Sequence, residues 1–130
     1  MIFIFGDSFA DPCDSNYDYL WYKNLSSEKR INYGKSATGP IYTMGKVYDC
    51  IESQMINEGD KMVVMLSDPK REEHYDGMHG RMCLANYLYF LKTYSEKFKV
   101  RTIAFTCFAK MLNRKMVEGC LLYTSPSPRD

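Results

Sequence analysis

The sequence has 130 residues and a formal net charge of +1, with 45% hydrophobic and 25% charged residues. This length corresponds to one domain with one core, and the composition is that of an ordinary globular protein. A nearly neutral charge gives no indication of a nucleic-acid or acidic-membrane partner. No apolar run approaches the roughly 18 residues of a transmembrane helix, and the apolar start is too short for a secretory signal.

Cysteine usage indicates the redox setting. The five cysteines are Cys13, Cys50, Cys83, Cys107 and Cys120. Their number is odd and they form no Cys-x-x-Cys pair, which is typical of a reduced, cytoplasmic setting rather than a disulfide framework. Because no cysteine and histidine spacing matches a zinc site, we expect no metal and no cofactor. The predicted location is cytoplasmic, with a virion as the alternative.

The chain begins with an unbroken apolar run, Ile2–Phe5, followed directly by Gly6, Asp7 and Ser8. A run of this length predicts a strand buried on both faces, as in parallel sheets. Glycine at its end permits a sharp turn, after which the Ser8 hydroxyl is presented at the sheet edge where α/β proteins bind ligands. The alternative is a strand-to-helix turn in which Ser8 or Asp7 caps the next helix.

Helices and strands are predicted to alternate along the rest of the chain. The predicted strands are Arg30–Tyr33, Lys61–Leu66 and Val100–Phe105. Four helices are predicted. The first is short and runs through Leu20, Trp21 and Leu25, and the last lies at Lys110–Val117. The second is capped by Thr43 and stops at Gly59, and its core-facing residues are Met44, Val47, Tyr48, Ile51 and Met55, whereas the third is long and is marked by Leu84, Leu88, Leu91 and Phe98. A polar, exposed connection is expected from Lys70 to Gly80. This alternation predicts a parallel sheet wound with helices, with all carboxyl ends of the strands on one edge.

Three segments carry a resemblance to a known family. Phe5-Gly6-Asp7-Ser8-Phe9-Ala10-Asp11 resembles the first block of the SGNH (GDSL-type) hydrolases, esterases and lipases with a nucleophilic serine. Asn32-Tyr33-Gly34-Lys35-Ser36-Ala37-Thr38-Gly39 resembles their second block. With Leu66-Ser67-Asp68-Pro69-Lys70-Arg71, these segments resemble a group of small SGNH-like proteins carried by tailed phages. The resemblance implies a three-layer, flavodoxin-like α/β fold with strand order 2-1-3-4.

The resemblance also implies site residues. Ser8 would be the nucleophile, and its own N–H together with that of Ala37 or Gly39 would bind the oxyanion. Ala37 stands at the most direct match to a glycine of the family, and the alternative for this segment is a plain turn. The family's third block is Gly-x-Asn-Asp, but this chain has no asparagine there. The predicted substrate-binding residues are Asp7, Asn32, Ser67, Asp68 and Lys70.

The catalytic base departs from the family pattern. In the family, a late Asp-x-x-His motif supplies the base and the aspartate that orients it. This chain has two histidines, and the motif occurs early, as Asp76-Gly77-Met78-His79. Asp76 and His79 are therefore one candidate dyad. The other interpretation is that the dyad was lost with a missing C-terminal part.

The C-terminal segment favours that second interpretation. Leu121–Asp130 resembles a translated sequencing adaptor of the kind found at broken reading frames from environmental DNA. We therefore expect a single incomplete SGNH-like domain over residues 1–120, followed by a non-native or disordered tail at 121–130.

The predicted function is hydrolysis of a small-molecule or glycan ester, such as an O-acylated carbohydrate. One alternative is a non-catalytic binding or structural phage protein, for which the closely spaced Tyr17, Tyr19, Trp21 and Tyr22 would suit sugar or protein contacts. A further alternative is a magnesium-dependent phosphohydrolase in which Asp7, Asp11 and Asp68 hold the ion and Lys70 contacts phosphate. The Asp-x-Asp pattern of haloacid-dehalogenase-type phosphatases is absent, because position 9 is Phe9.

Overall fold

The computed structural model describes residues 1–7, 10–11, 28–67 and 77–106, and it describes the side chains of these residues except at 77–81 and 106. Its elements are strand β1 (Ile2–Phe5), strand β2 (Arg30–Asn32), helix α1 (Pro40–Glu52), strand β3 (Lys61–Leu66), helix α2 (Gly77–Phe98) and strand β4 (Arg101–Thr106). These strands form a four-stranded sheet with the order β2-β1-β3-β4, and every pairing is parallel. The predicted α/β class and the predicted strand order are therefore confirmed.

The central strands β1 and β3 are buried on both faces, as their unbroken apolar runs predict. Phe3 and Phe5 point to one face of the sheet, and Ile2 and Ile4 point to the other. On that second face they form a smaller cluster with Ala10, Val63 and Met65. Both faces of the sheet centre therefore exclude water.

Both described helices lie on one face of the sheet. Helix α1 carries the chain from β2 across β1 to β3, and α2 carries it onward from β3 to β4. Because both connections advance in the same direction, right-handed crossovers put their helices on the same side. The shared core contains Phe3, Phe5, Met44, Val47, Cys50, Val64, Leu66, Leu84, Leu88 and Leu91.

Helix α1 begins earlier than predicted. Its N-cap is Gly39 and its first residue is Pro40, so Thr43 is not the cap. Proline suits this position because its fixed φ fits the first turn and its missing N–H has no partner to lose. Thr43 is instead buried inside the first turn, where its hydroxyl donates to the Gly39 carbonyl at 3.4 Å.

The other end of α1 also differs from the prediction. The helix ends at Glu52, and Gln54 adopts a left-handed conformation with φ 55°. The Met55 N–H donates to the Cys50 carbonyl and the Gln54 N–H to the Ile51 carbonyl, both at 3.0 Å, which is a Schellman ending. Met55 is consequently outside the helix and 40% exposed rather than in the core.

Two further expectations for this region are wrong. Tyr48 is 42% exposed and does not face the core. Its ring lies at the flank of α1 and contacts Phe90 of α2, with 4.7 Å between ring centroids. Gly59, expected to stop the helix, belongs to the turn before β3 and has φ 89°.

Helix α2 is longer than its apolar positions suggest. Leu84, Leu88 and Leu91 are buried as predicted, but the helix already begins at Gly77. The end of the polar stretch from Lys70 to Gly80 is therefore helical. No helix in the described part of the chain has both the length and the apolar character needed to cross a membrane. The helices predicted around Leu20–Leu25 and at Lys110–Val117, and the tail at 121–130, lie outside the described residues.

Candidate functional site

The direction of the strand connections reverses between β1 and β3. The connection that leaves β1 leads to β2 on one side, whereas the connection that leaves β3 leads to β4 on the other side. In open α/β sheets, ligands bind outside the carboxyl ends of the strands at such a reversal. The residues directly after these strands are Gly6 and Ser67.

Gly6 is required by close packing rather than by a sharp turn. Among the described glycines, Gly59 has a positive φ, whereas the φ of Gly6 lies outside the left-handed region. A Cβ on Gly6 would lie 2.9 Å from the Ala10 Cβ and 3.2 Å from the Met65 Cβ. The next residue, Asp7, is only 1% exposed, and its carbonyl accepts a hydrogen bond from the Ala10 N–H at 3.0 Å.

Backbone hydrogen bonds join the segment after β1 to the segment after β2. The Tyr33 N–H donates to the Ile4 carbonyl at 2.8 Å, and the Lys35 N–H donates to the Gly6 carbonyl at 3.1 Å. These bonds continue the parallel pairing of the two strands beyond their ends. The loop over residues 33–39 is thereby held beside Gly6 and Asp7 at the carboxyl edge.

Side-chain hydrogen bonds connect the same two segments. The Asn32 side chain donates through Nδ2 to the Ala10 carbonyl and accepts through Oδ1 from the Gly34 N–H, both at 2.7 Å. The buried carboxylate of Asp11 accepts through Oδ2 from the Ser36 N–H at 2.6 Å. Sequence reasoning missed the contacts made by Gly34 and Ser36. One signal was present, since asparagine with glycine two residues later fits a turn in which the asparagine side chain accepts from the backbone.

The predicted oxyanion residues Ala37 and Gly39 lie in this loop, directly before α1. Ala37 has φ 59°, a left-handed conformation in which glycine is more at ease. Gly39 is the N-cap and has no side-chain capping bond. None of the hydrogen bonds among the described residues uses the N–H of Ala37 or Gly39. The amino terminus of a helix carries partial positive charge and therefore favours an anion.

Ser67 links the end of β3 to the same loop. It is buried, and its hydroxyl donates to the Thr38 carbonyl at 3.4 Å, a long and therefore weak hydrogen bond. Residues from the ends of β1, β2 and β3 thus come together at one edge of the sheet. Among the predicted site residues, the structure brings together Asp7, Asn32, Ala37, Gly39 and Ser67.

Positive charge flanks the start of α1. The Nζ atoms of Lys35 and Lys46 each lie 5.6 Å from the centroid of the Tyr42 ring. Cations are attracted to the negative face of an aromatic ring. Lys46 also pairs with Asp49 at 3.9 Å, an exposed contact that contributes little.

The buried thiol of Cys50, in the last turn of α1, is not an activated nucleophile. Tyr33 stacks on Phe5 with ring centroids 5.5 Å apart, and its hydroxyl lies near Cys50. Burial raises the pKa of the Cys50 thiol, although the Tyr33 hydrogen bond opposes this shift. Burial likewise raises the pKa of Tyr33. A thiol that stays protonated at neutral pH is a poor nucleophile.

Several predicted site residues fall elsewhere. Ser8, Asp68, Lys70 and Asp76 lie outside the described residues. His79 lies within the first turn of α2 and not, as expected, in the connection that precedes the helix. The reason is that α2 begins at Gly77, well before its first buried leucine.

The described residues give no support to the magnesium alternative. They contain no group of three or more histidine, cysteine, aspartate or glutamate side chains arranged to hold a metal ion. Asp7 and Asp11 do lie at the expected edge, but the Asp11 carboxylate binds the Ser36 backbone. The third proposed ligand, Asp68, is outside the described part of the chain.

Comparison of the chain with protein-family models, with curated proteins and with solved structures finds no match. A proposal for function therefore depends on the sequence segments and on the geometry of the carboxyl edge of the sheet.

Proposed function

We propose that this protein is an SGNH-like serine esterase with a flavodoxin-like fold. The observed order β2-β1-β3-β4 corresponds to the first four strands of the flavodoxin-like order 2-1-3-4-5. Ser8 is the nucleophile, and the N–H groups of Ser8, Ala37 and Gly39 bind the oxyanion. The substrate is a small-molecule or glycan ester, such as an O-acyl group on a carbohydrate.

One observation carries the proposal, namely the bonding of the segment after β1 to the loop before α1. Ser8 lies in the sequence between Asp7 and Ala10. Gly6 is bound by the Lys35 N–H, and Asp11 is bound by the Ser36 N–H, one residue before Ala37. The segment that contains the serine and the loop that contains the backbone donors are therefore neighbours, as acyl transfer requires.

The reaction follows the usual course for a serine hydrolase. The Ser8 hydroxyl oxygen attacks the ester carbon while a base takes its proton, and the carbonyl oxygen becomes the bound oxyanion. Collapse of this intermediate releases the alcohol, which receives that proton, and water then hydrolyses the acyl-enzyme. The candidate base within the present sequence is His79, with Asp76 as its orienting partner. In support, His79 lies in the first turn of α2, the helix that follows the carboxyl end of β3.

A fluorophosphonate probe followed by intact-mass measurement tests the nucleophile. We expect one adduct on the wild-type protein and none on Ser8→Ala. Ser53→Ala is the matched control, because Ser53 is exposed at the opposite end of α1 and should label normally. Failure of the wild-type protein to react, or equal labelling of Ser8→Ala, would contradict the proposal.

The same probe tests the base. His79→Ala should lower the labelling rate by roughly 100-fold or more, because general-base assistance contributes about that factor. His74→Ala is its control, since it removes the other histidine of the chain. If both variants label at the wild-type rate, the serine is activated by another group and the assignment to His79 is wrong.

A row of aromatic side chains favours the second candidate, a non-catalytic binding or structural module. Tyr48, Phe90, Tyr94 and Phe98 follow one another along α1 and α2, with centroid distances of 4.7, 6.2 and 4.8 Å. The two ends of the row, Tyr48 and Phe98, are exposed. A wild-type protein that does not react with the probe would favour this candidate.

A further inference from the structure

Asn32, the last residue of β2, makes a hydrogen bond within the protein through each end of its side-chain amide. Its Nδ2 faces the Ala10 carbonyl and its Oδ1 faces the Gly34 N–H, each at 2.7 Å. Because each atom meets a group of the opposite hydrogen-bonding character, a flipped amide would lose both bonds. Asn32 thus joins a residue that follows β1 to a residue of its own loop.

Asp11 makes the second connection. Its side chain is only 5% exposed, and its Oδ2 lies 2.6 Å from the Ser36 N atom. A hydrogen bond from a backbone N–H to an ionised carboxylate is stronger than one between neutral groups. Ala10 and Asp11 are adjacent in the chain, so Asn32 and Asp11 hold the same short segment against Gly34 and Ser36.

These contacts flank the groups that the proposed reaction needs. Ala10 is bonded through its N–H to the Asp7 carbonyl at 3.0 Å, so the chain on both sides of residues 8 and 9 is fixed. On the other loop, Ser36 directly precedes Ala37. Asp11 and Asn32, with the backbone groups of Ala10, Gly34 and Ser36 that they bind, form what we call the loop clamp.

We propose that Asn32 and Asp11 are positioning residues that set the distance between the two loops of the carboxyl edge. This inference rests on the proposed function, in which one loop carries the nucleophile and the other carries the oxyanion donors. Asn32 then acts on the reaction through the backbone and not through the substrate contact predicted for it from the sequence. Displacement of reacting groups by about 1 Å can cost roughly 100-fold in rate.

The test compares a truncated and a conservative variant at position 11. Asp11→Ala removes the acceptor for the Ser36 N–H, whereas Asp11→Asn keeps an acceptor oxygen in nearly the same place. Two quantities are measured, hydrogen exchange at the Gly34 and Ser36 amides and the kinetics of p-nitrophenyl acetate hydrolysis. We expect Asp11→Ala to lose protection at Ser36 and roughly 10- to 100-fold in kcat, with KM little changed. Asp11→Asn should recover most of both.

Asn32→Asp adds a readout that depends on pH. An ionised carboxylate at position 32 would face the Ala10 carbonyl, so only the protonated acid can donate the hydrogen bond that Nδ2 makes. The ionised carboxylate still accepts from the Gly34 N–H, so the readout is the kcat of this variant divided by that of the wild-type protein, which should approach one at low pH and fall as the pH rises. Asn57→Ala, at an exposed asparagine before β3, is the matched control and should leave kinetics and exchange unchanged.

The outcomes separate the two proposals. Protected Gly34 and Ser36 amides in a wild-type protein without esterase activity would overturn the proposed function while supporting the loop clamp. An active wild-type enzyme in which Asp11→Ala loses protection at Ser36, and yet both Asp11→Ala and Asn32→Asp retain the wild-type kcat at every pH, would overturn the positioning role. Unprotected amides in the wild-type protein would overturn the clamp itself. Recovery of both protection and kcat in Asp11→Asn supports it.

Discussion

Gly34 and Ala10 approach each other so closely that no side chain fits between them. A Cβ placed on Gly34 would lie 2.6 Å from the carbonyl oxygen of Ala10 and 2.9 Å from its Cβ. Both distances are shorter than van der Waals contact, and the first involves a backbone atom that is already bonded to Asn32. The glycine is therefore required by the approach of two loops, and its substitution tests that approach directly.

We expect Gly34→Ala to lower the free energy of unfolding by about 2 kcal/mol, because the added methyl group forces the two loops apart. Gly45→Ala is the matched control. Gly45 is an exposed residue of α1 with no atom within 4 Å of the added Cβ, so alanine should stabilise the helix by about 0.5–1 kcal/mol. Urea unfolding of the two variants measures both changes. Equal effects of the same sign would show that the loops do not meet at Gly34.

Each of the two described helices is followed by a left-handed residue that is not glycine. Gln54 follows α1 with φ 55°, and Lys99 follows α2 with φ 54°. We expect Gln54→Gly and Lys99→Gly each to raise the free energy of unfolding by about 0.5–1 kcal/mol, because glycine adopts this conformation without the steric cost of a Cβ. Lys99 also loses an exposed ion pair with Glu58, which contributes little.

Gly59→Ala provides the reverse control for these helix ends. Gly59 has φ 89° and open space where a Cβ would lie, so alanine there should destabilise through backbone strain alone. The expected loss is about 1 kcal/mol. Chemical denaturation of the three single variants compares the signs. If glycine at 54 and alanine at 59 both destabilise, the backbone conformations assigned to these turns are wrong.

Ala37 tests the backbone of the loop before α1. With φ 59°, Ala37→Gly should be neutral or stabilising by up to about 1 kcal/mol, since relief of strain is offset by a more flexible unfolded chain. Ala37→Val should destabilise by more than about 1 kcal/mol, because a β-branched residue is strongly disfavoured there. The glycine variant keeps the N–H and should react with a fluorophosphonate at the wild-type rate. A marked loss of stability in Ala37→Gly would contradict the left-handed conformation.

Features that depend on neighbouring residues in the sequence were predicted accurately, whereas features that depend on contacts between distant residues were not. The strands Ile2–Phe5 and Lys61–Leu66 were predicted with their observed bounds, because an uninterrupted apolar run is a local signal of burial on both faces. The end of α1 was placed too late, since Gln54 carries no local signal for a left-handed conformation. The start was placed too late as well, although Pro40 offered the correct signal.

For the candidate site, topology was predictable but individual contacts were not. Parallel strands bring their carboxyl ends to one edge, so Asp7, Asn32 and Ser67 were expected to be neighbours. That the Asn32 amide binds Ala10 depends on a tertiary approach between residues 22 positions apart. No local pattern encodes such a contact, and a substrate-binding asparagine looks the same in the sequence as a structural one.

The ion pairs around the start of β1 make stability depend on pH. The Met1 ammonium group donates to Glu28 at 3.0 Å, and Lys61 donates to Glu28 at 2.8 Å. The Glu28 bond raises the pKa of the Met1 amine above 8.0, and the Lys61 bond lowers the pKa of Glu28 below 4.5. The Glu28 contribution is complete above about pH 4.5 and is lost as the pH falls through its folded-state pKa. The Met1 contribution is complete below about pH 8.0 and is lost as the pH rises through its folded-state pKa.

We therefore expect Glu28→Gln to lower the urea midpoint most between about pH 5 and pH 8. The difference from the wild-type protein should shrink outside that window and also in about 1 M salt, which screens partly exposed charges. Glu58→Gln, which removes an exposed partner of Lys99, should have little effect at any pH. A Glu28→Gln difference that is independent of both pH and salt would show that packing, and not charge, is responsible.

Ser95 of α2 and Thr102 of β4 share a buried hydrogen bond that fastens the last described helix to the sheet. The two hydroxyl oxygens lie 2.5 Å apart, and both residues are buried. Ser95→Ala or Thr102→Val alone should lower the free energy of unfolding by about 1–3 kcal/mol, because the remaining hydroxyl stays buried and loses its hydrogen-bond partner. The loss of unfolding free energy in the double variant should be smaller than the sum of the two single losses by at least about 1 kcal/mol. The reason is that no buried hydroxyl remains without a partner. Urea unfolding of all four proteins with a common m value measures the coupling. Additive losses would show that each hydroxyl has another partner and that their mutual bond does not fasten α2 to β4.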